Sequence, residues 1–115
     1  MKTLSVLTVT IGLGLAANAT QATAGPAFHW GSDERGMSQQ ECLKRANFAM
    51  GETGLTVAGS DGSDVAGSGP NVTVLVTCKA LGQRTFISVV AGSPDSSVAE
   101  QTRNSVRSLV MGPPS

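Results

Sequence analysis

The chain has no tyrosine, one tryptophan, one histidine and two cysteines, and only 14% of its 115 residues are charged. Each shortage removes a class of function. Lys and Arg number eight and Asp and Glu eight, and the cations form no stripe, so the electrostatic term behind nucleic-acid binding is missing. Cys42 and Cys78 are too far apart for a C-x-x-C redox pair and too few for a zinc site. No Gly-x-Ser-x-Gly nucleophile elbow occurs. With aromatics this scarce, a core must be assembled from Val, Leu, Ile, Met and Ala, which is thin for the length.

What is present begins with Met1-Lys2-Thr3 and a mostly apolar run from Leu4 to Ala17, followed by small residues. One cation, an apolar segment and a small-x-small site form the layout of a secretory signal peptide. Ala17-Asn18-Ala19 and Ala22-Thr23-Ala24 both fit the cleavage rule. Pro26 favours the second, with the cut between Ala24 and Gly25. The run is interrupted by Ser5, Thr8 and Thr10 and is shorter than the ~20 residues of a spanning helix, so no stable membrane insertion is expected after cleavage. Residues 1–24 are thus expected to be a signal peptide, and residues 25–115 one small domain in the periplasm or outside the cell. In such a compartment the even cysteine count predicts a Cys42–Cys78 disulfide.

Along the mature chain, Ser38-Gln39-Gln40-Glu41 fits a capping box that opens a helix. Cys42, Ala46, Ala49 and Met50 share its apolar face, and Gly54 is placed to end it in a left-handed conformation. Residues 72–79 alternate with strand period: Val72, Val74, Val76 and Cys78 point one way, Thr73, Leu75, Thr77 and Lys79 the other. Leu81-Gly82-Gln83 is a turn, and residues 84–91 are rich in β-branched and aromatic types. Ser93-Pro94-Asp95 predicts the start of a last helix with the stripe Val98, Thr102, Val106, Leu109, Val110. Gly112-Pro113-Pro114 stops it.

Between the first helix and the Val72 strand lies VAGSDGSDVAGSGP, residues 57–70, in which Val-Ala-Gly-Ser occurs twice. An EF-hand loop counted from Asp61 would need Glu where Val72 stands. A phosphate loop would need a Lys running into a helix. One imperfect unit is too little for a calcium-binding repeat array. A hairpin with Asp61-Gly62 as its two-residue turn explains both the repeat and the composition.

Phe28-His29-Trp30 holds the only His and Trp and fits an edge strand with Phe28 and Trp30 on one face. Two readings compete. The aromatics roof a core short of large side chains, or they form, with His29, an exposed interaction surface for a peptide or sugar. The first is the expectation. His29 is the one residue of the type that serves as a general base near neutral pH. Its spacing to Asp33 and Glu34 matches no closed metal site, so a solvated or packing role is expected. The Arg103–Arg107 pair, one helical turn apart, is expected to be a solvated face.

Glu41-Cys42-Leu43, and Val74 through Val90 with Cys78 and Gly82, resemble a group of small exported bacterial proteins of unknown function. Those proteins share an aromatic first strand, a helix bearing one Cys, a Gly-rich hairpin, a strand ending in the second Cys, a β-branched strand and a final helix. The resemblance implies no catalytic residue. The expected fold is α+β: a two-layer sandwich with an antiparallel sheet of three to four strands and two helices on one face. The expected function is non-enzymatic binding of a protein or envelope component, with no cofactor and no nucleic acid. The alternatives are a small metal-binding protein or enzyme using His29, and a structural or stress-related envelope factor.

Overall fold

The computed structural model describes residues 25–112. The signal-peptide expectation over residues 1–24, with its cut after Ala24, and the proline tail lie outside the described residues.

The described chain is α+β. In order it runs β1 (Ala27–Arg35), α1 (Gln39–Glu52), β2 (Thr56–Ser60), β3 (Asp64–Gly69), β4 (Val72–Leu81), β5 (Arg84–Ser93) and α2 (Ser96–Met111). The strands form one antiparallel sheet in the order β1-β5-β4-β3-β2. The sheet therefore has five strands, not three to four. The excess comes from residues 57–70, whose arms join the sheet as β2 and β3 despite poor strand propensity; pairing with the strongly β-forming β4 overrides composition. Its turn also differs from expectation. Gly62 has no positive φ. The Asp61 carboxylate instead accepts from the Ser63 and Asp64 amides, both at 2.8 Å, an Asx turn built by a side chain. Those amides and the Ser63 hydroxyl hold the Asp61 carboxyl below its ordinary value.

The α1 termini follow local chemistry. Ser38 Oγ accepts from the Glu41 amide at 3.0 Å. The Glu41 side chain does not close the box; it pairs with Arg45 Nε at 2.9 Å. At the other end Gly54 has φ 77. The Leu55 amide reaches Met50 O at 2.8 Å and the Gly54 amide reaches Gly51 O at 3.2 Å, a Schellman closure. The start of α2 corrects the sequence reading. Asp95, not Ser93, caps it, accepting from the Ser97 and Val98 amides, while Ser93 Oγ accepts from the Asp95 amide at 3.0 Å. The buried residues of α2 are Ala99, Val106, Val110 and Met111. Arg45 Nη1 crosses to Met111 O at 3.1 Å, placing a cation at the negative end of α2.

Both helices cover one face of the sheet. Their small apolar residues meet Val74, Val76 and Cys78 of β4, Ile87, Val89 and Ala91 of β5, and Val65 of β3, all buried. The Cys42–Cys78 disulfide lies inside this layer, with Cα atoms 6.0 Å apart. Met50 packs directly over Gly67, where a Cβ would overlap its sulfur. The layer holds no aromatic ring, so close approach of Ala and Val replaces bulk.

Candidate functional site

The other face of the sheet has no cover within the described residues. Strand alternation decides what it shows. β1 pairs with β5 so that Phe28 lies opposite Gly92, Trp30 opposite Val90, Ser32 opposite Ser88 and Glu34 opposite Phe86. Continuing through β4, β3 and β2, Val90 pairs with Leu75, Leu75 with Ala66 and Ala66 with Gly59. One row of the open face is therefore Trp30–Val90–Leu75–Ala66–Gly59, apolar from edge to edge. Trp30 is 69% exposed, Phe28 58% and Leu75 41%. The Phe28 ring lies over Gly92, where an added Cβ would come within 2.6 Å of Cε1. The expectation that Phe28 and Trp30 roof the core is overturned: the helices cover the opposite face, so these rings face solvent.

His29 points to the helix side. Its Nε2 and Ser96 Oγ share a hydrogen bond of 2.9 Å, which ties the edge strand to the first turn of α2. Phe28, His29 and Trp30 meet at the β1 edge, where they line a shallow hollow. The Arg103–Arg107 pair is more than a solvated face. Arg103 Nη1 donates to the Trp30 carbonyl, and Arg107 Nη2 stands 3.6 Å from Asp33 Oδ2, which Arg35 Nη1 also approaches at 3.3 Å. Gly31 leaves room for both arginine side chains to lie across the strand.

These contacts also take up part of the outer edge of β1, at Trp30 and Glu34. Trp30 O is taken by Arg103, the Glu34 amide by Asp33 Oδ1 at 2.8 Å, and Glu34 O by Arg84 Nη2 at 3.0 Å. At the far edge, β2 carries a register shift between Val57 and Gly59. Side-chain blocking and a bulge are the two usual ways of closing a sheet edge to further pairing.

No protein-family model matches the chain, and a search of curated proteins finds none similar. Function has to come from the geometry. Beyond the open face, the largest described hollow, ≈ 610 Å³, is lined by polar groups of the two helices such as Glu52, Gln101 and Ser105. A second, ≈ 470 Å³, is more apolar and extends the aromatic face past Phe28 toward Pro70 and Pro94. Among the described residues no group of three or more His, Cys, Asp or Glu gathers to hold a metal. The disulfide cysteines are buried and take no part in any surface. Sequence reasoning missed Ser96, Val90 and Phe86 as neighbours of the aromatic strand. The signal for Leu75 was available, since its strand alternation sets it with Thr73 and Thr77, away from the Val74 face.

Proposed function

We propose that this chain is an exported, non-enzymatic binding module and that the open face of its sheet is the contact surface, with Trp30 and Phe28 as anchors. One observation carries the reading: the two aromatic side chains of the N-terminal strand stand on an uncovered sheet face, Trp30 at the end of a continuous apolar row and Phe28 beside it. Covering such a side chain is worth on the order of 2 kcal/mol, and aromatic anchors set in a flat surface are the usual carriers of binding energy. Export is supported by the signal-peptide layout of residues 1–24 and by a disulfide suited to an oxidising compartment. The partner is a protein or envelope component of the exporting cell.

Trp30 is the only tryptophan of the chain, so its emission reports on this surface once the emission of the added fraction is subtracted. Adding peptidoglycan, outer-membrane vesicles or secreted proteins should shift that emission to the blue and protect it from acrylamide for at least one fraction. Phe28→Ala should weaken the shift without lowering the melting temperature. A Trp30 that stays fully quenchable with every fraction refutes an external partner.

A second reading rests on the 2.9 Å His29–Ser96 hydrogen bond, which supplies the positioned serine that a His-dependent nucleophile requires. Labelling of Ser96 by a fluorophosphonate, lost in His29→Gln, would support it. Equal labelling of parent and variant would reject it.

A further inference from the structure

The open face is large on one flank and small on the other. β1 presents Phe28 and Trp30; β3 and β2 present Ala66, Ser68, Thr56 and Gly59 at the matching positions. Val90 and Leu75 lie between them on β5 and β4. A twofold axis running along the strands through β4, parallel to the sheet, would lay β1 of one copy over β2 of the other and β5 over β3. Bulky rings would then sit on small side chains at both flanks, with Leu75 near the axis. The roughly 30° crossing of packed sheets moves the rings along the partner's strands by about one or two residues; toward Ser68 and Thr56 the positions they reach are small, and in the other direction stands Asp64. The charged groups of the face, Glu34, Asp64 and Lys79, lie off the Trp30–Gly59 row.

Area and edges point the same way. Five strands at ~4.8 Å spacing and ~20 Å length project to about 500 Å². The accessible area of a corrugated face exceeds its projection and approaches the ~800 Å² per partner of a standard interface. Lateral pairing of sheets is disfavoured, because side chains cap the β1 edge and a bulge interrupts β2. Between the edges and the face of the sheet, the face is the freer route to self-association.

We infer that this protein forms a face-to-face homodimer in which Trp30 and Phe28 of each copy pack on the small-residue flank, β2 and β3, of the other. The inference rests on the open face being the contact surface and names a second copy as its occupant.

The test is light scattering on the disulfide-intact exported protein across about 5 to about 500 µM. The expected result is a concentration-dependent dimer. Trp30→Ala and Ala66→Arg, on opposite flanks, should each give a monomer with the parent's far-ultraviolet circular dichroism. A Trp30→Cys/Gly59→Cys double variant should cross-link between copies. Two results overturn the dimer: a monomer at every concentration, or a dimer that survives Ala66→Arg. If the parent stays monomeric while an envelope fraction still shifts Trp30 emission, the self-association fails and the binding module stands. If neither occurs, both fail.

Discussion

The two faces of β4 and β5 differ more than the strands themselves do. Toward the helices stand Val74, Val76, Cys78, Ile87, Val89 and Ala91, all fully buried. Away from them, one residue further along, stand Leu75, Thr77, Val90 and Ser88, all at least partly exposed. The covered face uses small aliphatics, a disulfide and close backbone approach. The open face uses rings and a leucine among hydroxyls. A chain with so few aromatics has spent none of those on this sheet's N-terminal strand to fill its core. The packed core lies on one side of the sheet and an uncovered aromatic surface on the other, and substitutions should separate the two.

The largest effect should come from the covered face. The Cys42–Cys78 bridge closes a segment with a sequence separation of 36 residues, for which chain entropy gives about 3–4 kcal/mol. Replacing both cysteines with Ala should lower the urea midpoint by a large fraction of its value, because a domain this small has only on the order of 5 kcal/mol in total. A double variant that melts like the parent would break the comparison. Next, Gly67→Ala pushes a methyl into Met50, which is buried with nowhere to move, and should cost about 1–3 kcal/mol. Gly92→Ala meets the Phe28 ring instead, which can swing into solvent, and should cost less than about 1 kcal/mol. Equal costs would mean that the open face is packed as tightly as the covered one.

A smaller effect is expected at the rim of the cover. The Ser97 hydroxyl, with the Val98 and Ser97 amides, holds the Asp95 carboxyl below its ordinary value of 3.8. Since the folded-state value is the depressed one, the contribution is complete above 3.8 and is lost as pH falls through the lower, folded value. Asp95→Ala should lower the melting temperature near neutral pH, and the gap between variant and parent should narrow between about pH 5 and about pH 2. A gap independent of pH would show that the carboxylate charge contributes nothing to holding α2. The smallest change should be on the open face itself. At dilute, monomeric concentration Trp30→Ala should alter unfolding free energy by less than about 0.5 kcal/mol, measured by denaturant titration.

Much of the covered face was legible in the sequence because its determinants are local or binary. Ser38 and Gly54 mark the ends of α1, alternation sorts β4, and two cysteines allow one bridge. The count of strands was not legible, since β3 is a strand only by virtue of lying beside β4. The first turn of α2 was ambiguous: Ser93 and Asp95 are both good caps, and the Asp95 carboxylate, which accepts from two amides, wins. Alternation placed Phe28 and Trp30 together but could not say on which side of the sheet the helices lie. The His29–Ser96 contact joins residues 67 apart, and no local pattern encodes a pairing of that span.

The pairing of β1 with β5 sets an order in time. Ala27 is partnered by Ser93, so the first strand of the domain to be synthesised has no place to dock until almost all of the domain has followed it. β3, β4 and β5 are joined by short turns and can assemble as they emerge, and α2 follows at once to cover them. β1 therefore waits, and it waits with Trp30 and Phe28 uncovered. The strand that carries the exposed rings is therefore docked only after β5 is in place.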